Sequence, residues 1–170
     1  DRKRAVTEMS HSRPRGVCVR NLNCPRKPSM PDAAASKLKI ALCQIAPTLG
    51  NLDANLAMHL EHIEAARAEG AGLIVFPELS LTGYFLRDMV PDVAQGRDSA
   101  LIRRLIDAAG DAALVVGFVE ESPQHRFYNA AAFSEAGELH YVHRKVYLPT
   151  YGMFDEQRYF AAGDRIAAFD

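Results

Sequence analysis

Residues 72–84 read Gly72-Leu73-Ile74-Val75-Phe76-Pro77-Glu78-Leu79-Ser80-Leu81-Thr82-Gly83-Tyr84, an apolar run that stops at a proline and then a carboxylate. Residues 73–76 offer no polar side chain to either face, the pattern of a strand covered on both sides. Pro77 has no N–H to give to a ladder, so it closes the strand. Glu78 is then held at the mouth of the sheet, where layered α/β proteins place their chemistry and where partial burial drives a carboxylate toward general-base duty. A glutamate so placed can equally accept at a helix cap or pair with a cation, and this stretch by itself leaves both readings open.

Upstream, residues 39–45 are apolar almost throughout and end before Pro47, which predicts a first strand. Asp53 is placed to cap a helix running to about residue 69, with Leu56, Leu60 and Ile63 on the buried face and Gly70 as its stop. His59 and His62 fall off that face and read as solvated. Strand, helix and strand make one crossover unit. Downstream, residues 87–92 lose all period and read as a surface loop beside Glu78. Asp98-Ser99 opens a second helix with the stripe Leu101, Ile102, Leu105 and Ile106, ended by Gly110. Residues 113–119 predict a third buried strand. Residues 127–133 and 139–147 are strand-like runs about the short loop Glu135-Ala136-Gly137, an antiparallel pair added to the sheet. The class is α/β.

A chain of 170 residues, 48% hydrophobic and 24% charged, has room for one domain and one core and is neither fibrous nor disordered throughout. The net charge of -1 hides an asymmetry: eight Arg and Lys residues precede Met30 against only Asp1 and Glu8. Residues 1–37 carry no hydrophobic period and are expected to be a disordered basic tail, with the folded domain over residues 38–170. Met30-Pro31-Asp32 resembles a translation start, so the residues before it read as an extension of the reading frame. Pro14, Pro25 and Pro28 spoil the amphipathic helix of a mitochondrial address. With no aromatic residue interleaved among the basic ones, nucleic acid is not an expected partner. No apolar run is long enough to cross a bilayer, so no membrane partner is expected and the localisation reads as cytoplasmic. Cys18, Cys24 and Cys43 are odd in number and irregular in spacing, which fits a reducing compartment. With His11 they match no zinc spacing, and no metal site is expected. Cys43 lies inside a strand and reads as an inert small hydrophobe.

A second dense stretch, residues 143–160, repeats the logic of the first: His143-Arg144-Lys145-Val146-Tyr147-Leu148-Pro149-Thr150-Tyr151-Gly152-Met153-Phe154-Asp155-Glu156-Gln157-Arg158-Tyr159-Phe160. A strand ends in charge, a proline breaks it, and an aromatic loop with acids follows. Lys145, if drawn into a pocket with carboxylates, is a fixed cation where an oxyanion develops. Alone, it reads as well as a solvated lysine on a hairpin edge.

Together the two stretches resemble the nitrilase, or carbon-nitrogen hydrolase, superfamily. Pro77-Glu78-Leu79 with Thr82-Gly83-Tyr84 resembles its first signature, which puts Glu78 at the general-base position. Arg144-Lys145 with Leu148-Pro149 resembles its second, which puts Lys145 at the catalytic lysine. The loop Tyr151-Gly152, Phe154, Glu156, Arg158-Tyr159-Phe160 is similar to the segment that carries a second glutamate, here Glu156, and especially to the glutamine-hydrolysing domain of glutamine-dependent NAD synthetases.

The resemblance implies a four-layered α-β-β-α sandwich, incomplete at the C-terminus. It implies attack of a cysteine thiol on a small-molecule amide or nitrile, with Glu78 as base, Lys145 as oxyanion stabiliser and Glu156 as the acid that orients Lys145. No cofactor is required. Tyr84, Asn129 and Tyr151 are candidate substrate contacts, although Tyr84 also reads as core and Asn129 as the start of a hairpin. No cysteine of this sequence matches the nucleophile's position, which is expected just past Asp170, so the chain reads as the N-terminal part of a longer hydrolase that forms homo-oligomers when full length. The alternative is an inactive truncated fragment that acts, if at all, as an interaction protein.

Overall fold

The computed structural model describes Val17–Asn21 and residues 37–168, and in it three apolar segments become the parallel centre of one sheet. Strands β1 (Val17–Asn21), β2 (Lys39–Cys43), β3 (Leu73–Val75), β4 (Ala113–Glu121), β5 (Phe127–Glu135) and β6 (Glu138–Arg144) lie side by side in chain order. β2, β3 and β4 pair in parallel, with Ile40 opposite Leu73 and Leu73 opposite Ala113. β4, β5 and β6 form an antiparallel meander. The parallel strands need crossovers, and helices α1 (Leu52–Ala68) and α3 (Ala100–Ala109) supply them. A 3-10 turn (Arg87–Met89), the short α2 (Val90–Val93) and α4 (Glu156–Tyr159) complete the elements.

Both long helices lie on one face of the sheet. Leu56, Ile63 and Ala66 of α1 and Ile102, Leu105 and Ile106 of α3 join Ile74, Leu114, Val116 and Phe118 in one buried cluster. A second cluster on the other face gathers Leu79, Leu86, Val90, Val93, Val119, Leu148 and Phe160, so the segments after Glu78 and after Lys145 share one floor. The described residues therefore form one sheet with one helical layer, two of the four layers that the sequence suggests.

Several boundaries differ from the sequence reading. Asn51, rather than Asp53, caps α1 by accepting from the Ala54 N–H at 3.0 Å, because the helix begins at Leu52 and leaves Asp53 in its first turn, where it favours the helix dipole. His59 and His62 are buried, at 0% and 4% exposure, not solvated. The buried face of α1 runs through Asn55, His59, His62 and Ala66, since the helix packs against the turn after Glu78 as well as the sheet. Residues 87–92 are not a loop without period: Val90 and Val93 are buried one turn apart, with Pro91 tolerated in the first turn of α2. β6 stops at Arg144, because Lys145 is drawn aside, its N–H donating to Asn129 O and its carbonyl accepting from Gly163 N, both at 2.8 Å. The expected disordered tail lies outside the described residues except for Val17–Asn21, whose backbone extends the β2 edge antiparallel with Val17 opposite Cys43, a pairing that the apolar run Val17-Cys18-Val19 favours.

The hairpin between β5 and β6 is a two-residue loop with Ala136 at φ 50° and Gly137 at φ 77°. Both centres are left-handed, as primed hairpin turns require, and alanine carries a steric penalty there. Ala136→Gly is expected to stabilise the fold by about 1 kcal/mol, read by thermal or urea unfolding. A lowered midpoint would contradict the turn assignment.

Candidate active site

Glu78 leaves β3 on a turn that needs unusual backbone. Leu79 holds φ at 48°, a strained value for a residue with a branched side chain, and the turn closes with Ser80 N on Pro77 O and Gly83 N on Leu79 O. The turn crosses β4 directly over Gly117, where a Cβ would lie 2.5 Å from both Pro77 O and Leu79 N. Only a residue without a side chain permits this approach. The crossing aims the Glu78 carboxylate toward the ends of β5 and β6.

There it meets Lys145. The Lys145 Nζ donates to Glu78 Oε1 at 2.7 Å and to Glu156 Oε1 at 2.9 Å. Asn129, on β5, donates its amide to the same Glu78 oxygen at 2.6 Å. Tyr84 OH donates to Glu156 Oε1. Glu156 opens α4, whose first N–H is held by Pro149 O, and its side chain is only 4% exposed. Its other oxygen, Oε2, is buried with no hydrogen-bond partner among the described residues. Two carboxylates thus share one ammonium. Burial pulls the Lys145 pKa down, but its bonds to Glu78 and Glu156 outweigh this and hold it above the ordinary lysine value. Burial, the bond to Glu156 and the surrounding negative charge push the Tyr84 phenol well above its ordinary value.

Five of the six candidate residues, Glu78, Lys145, Glu156, Tyr84 and Asn129, therefore converge. Tyr151 lies outside this hydrogen-bonded cluster but beside it. It is 72% exposed, lines a hollow together with Lys145, and packs on Phe154, whose ring lies 5.8 Å from that of Tyr151 and 6.0 Å from that of Tyr84. Two hollows flank the cluster. One of about 540 Å³ is lined by Tyr84, Arg87, Asp88, Glu156 and Arg158, and one of about 550 Å³ by Lys145, Tyr147, Thr150, Tyr151 and Gln157. Cys43 is buried in β2, and burial pushes its thiol up to about 11, the opposite of an activated nucleophile. No group of His, Cys, Asp and Glu that could hold a metal ion occurs among the described residues.

Other residues that shape the site escape a reading by pattern. Glu120, 0% exposed at the end of β4, accepts from Arg97 and from Arg144, next to Lys145, at 2.7 Å each. Burial opposes its ionisation, but the hydrogen bonds from Arg144 and Arg97 win and hold its pKa below the usual carboxylate value. Arg144 also lies over the Tyr128 ring, 3.9 Å from its centroid. Only strand register brings Glu120 and Arg144 together, and spacing does not show it.

Comparison with known proteins follows the same lines. The family description of carbon-nitrogen hydrolases matches residues 39–170. A glutamine-dependent NAD(+) synthetase of Acinetobacter baylyi is 36% identical over 134 residues, covering 78% of this chain and 24% of the relative. One from Thermotoga maritima is 35% identical over 133 residues, covering 76% and 23%. The chain thus spans about a quarter of the length of the curated relatives it matches. Among solved structures, the glutamine-dependent NAD+ synthetase of Acinetobacter baumannii aligns with a TM-score of 0.67 at 34% identity, covering 78% of this chain and 25% of that one. An amidase from Nesterenkonia sp. aligns with a TM-score of 0.64 at 25% identity, covering 75% and 49%.

Proposed function

The chain belongs to the carbon-nitrogen hydrolase family, with a nitrilase-like α/β fold, and on that premise we propose that it carries the base and the oxyanion-stabilising cation of an amide hydrolase. The observation that supports this reading is the single ammonium of Lys145 held between Glu78 and Glu156 at the end of the sheet. Glu78 acts as base. Its Oε1 is taken by Lys145 and Asn129, which leaves Oε2 to receive a proton. A cysteine thiol supplied from outside residues 37–168 gives its proton to Glu78 as sulfur attacks the amide carbon. The carbonyl oxygen gains the charge, and Lys145 stabilises it more than it stabilised the neutral amide. The tetrahedral intermediate collapses as its nitrogen takes the proton from Glu78 and leaves as ammonia or an amine. Water, deprotonated by Glu78, then cleaves the thioester and regenerates the thiol. Glu156 holds Lys145 in place, with Tyr84 fixing Glu156.

The carboxamide of glutamine is the substrate we favour. The hollow beside Glu156 is lined by two guanidinium groups, Arg87 and Arg158, and by the carboxylates of Asp88 and Asp155 as well as Glu156, so it offers charges of both signs to the zwitterion of a free amino acid. Cytoplasmic location and assembly into homo-oligomers belong to the same proposal.

The test is ammonia release from glutamine and simple amides by the natural protein that carries this sequence, with and without iodoacetamide. Release from glutamine that alkylation abolishes is the expected result. Release insensitive to alkylation would sink the thiol mechanism, and no release from any amide would favour the inactive chain.

A further inference from the structure

Behind the turn that carries Glu78, on the side away from Lys145, three polar side chains are sealed from solvent: Asn55, His59 and Ser80 are each 0% exposed. Such burial is unfavourable unless donors meet acceptors, and here they do. Asn55 accepts from Thr48 N at 2.7 Å and donates to Thr48 O and Leu81 O at 2.8 and 2.9 Å. His59 Nδ1 lies 2.6 Å from Asn55 O, and its Nε2 lies 2.9 Å from Ser80 Oγ.

These contacts assign the proton. A carbonyl oxygen can only accept, so Nδ1 carries hydrogen. Burial lowers the His59 pKa to about 4, so the ring is neutral near pH 7 and Nε2 is an acceptor. The Ser80 hydroxyl then donates to Nε2. Gly117 O, 3.3 Å from Ser80 Oγ, is already served by Leu81 N at 3.2 Å. Phe76 stacks on the imidazole with centroids 4.3 Å apart and fixes its plane. Helix α1 is thereby tied to Ser80 and Leu81, two and three residues past Glu78 and directly after strained Leu79 in the same turn.

We propose that His59, as the neutral Nδ1–H tautomer, and Ser80 are positioning residues for Glu78: their bond fixes the turn to α1 and so keeps the Glu78 carboxylate on Lys145 and Asn129. This rests on Glu78 being the base. An apolar pair would fill the same space, but it would not fix the register between helix and turn, which a directional bond does.

The test is Ser80→Ala and His59→Phe, singly and together, in the natural protein that carries this sequence, with Glu78→Gln as control. Ser80→Ala is expected to lower kcat about tenfold with KM nearly unchanged, because a small displacement of a catalytic group is enough. Its crystal structure is expected to show the Glu78 carboxylate out of hydrogen-bond reach of Lys145. The double variant should be no slower than the slower single one, since both remove one bond. A Ser80→Ala protein that retains the Glu78–Lys145 contact and full kcat overturns the proposal, as does a kcat loss that only tracks the folded fraction. Undiminished turnover in Glu78→Gln would overturn the base assignment instead, and the Glu78–Lys145 contact in the Ser80→Ala crystal structure would still decide the positioning. If His59→Phe does not fold, Ser80→Ala, which removes one oxygen atom, decides alone.

Discussion

Lys145→Ala is expected to lower turnover of the amide by about a thousandfold while the protein stays folded. The ammonium is fixed at 2.7 and 2.9 Å from two carboxylate oxygens, so it needs no reorganisation when charge develops on the substrate oxygen. Its effect on stability has two parts. The bond to Glu78 joins side chains that are 30% and 46% exposed, and such a pair contributes little. The bond to Glu156 matters more, because that side chain is 4% exposed and its removal strands a buried carboxylate. A loss of about 2 kcal/mol is expected, below the usual range for a fully buried pair because Lys145 itself is partly solvated. The double variant Lys145→Ala/Glu156→Gln removes the stranded charge and should recover most of that stability without recovering turnover. This contrast separates folding from chemistry. The pH dependence follows from the raised Lys145 pKa: the folded state holds the proton more tightly than the unfolded chain. The contribution is therefore fully present below the ordinary lysine value of 10.5 and lost only as pH rises through the higher folded value. The stability gap between wild type and Lys145→Ala should be flat across neutral pH. Turnover by Lys145→Ala within about tenfold of wild type would sink the oxyanion role.

What could be read from the sequence was local. The apolar run of residues 73–76 closed by Pro77 is β3 with its stop, and Ser99 and Gly110 bound α3 as capping chemistry requires. Glu78, Lys145 and Glu156 were legible as residues at strand ends and in the following loop, and the superfamily's wording joined them. The buried side of α1 was not legible, because a helical stripe counts apolar residues while this helix turns Asn55, His59 and His62 inward, the first two to meet a turn more than twenty residues ahead. Glu120 was missed for a related reason. At the end of an apolar strand it looks like a solvated terminus, and only the register that sets Ala130 opposite both Phe118 and Arg144 places Arg144 within reach. Non-local pairing decides such positions, and no window of residues contains it.

Gly117→Ala is the other substitution expected to have a large effect, and here two principles oppose each other. Gly117 lies inside β4 without a left-handed backbone, so local propensity favours alanine by roughly 0.5–1 kcal/mol. Against this, the added Cβ would meet Pro77 O and Leu79 N at 2.5 Å and the Glu78 carbonyl carbon at 2.9 Å. These atoms are backbone, so relief requires lifting the whole turn rather than rotating a side chain. Overpacking of this kind costs about 3 kcal/mol, more than propensity returns. The turn that must lift carries Glu78, and a displacement near 1 Å should also lower kcat by about a hundredfold in the protein that remains folded. Gly137→Ala is the control, because that glycine is left-handed with nothing within 4 Å of a Cβ. It should lose about 1 kcal/mol from backbone strain and leave kcat unchanged. Unfolding midpoints and kcat measured together distinguish the two sites. A Gly117→Ala protein as stable and as active as wild type would mean that the turn does not rest on β4, and the account of how this fold aims Glu78 would fail with it.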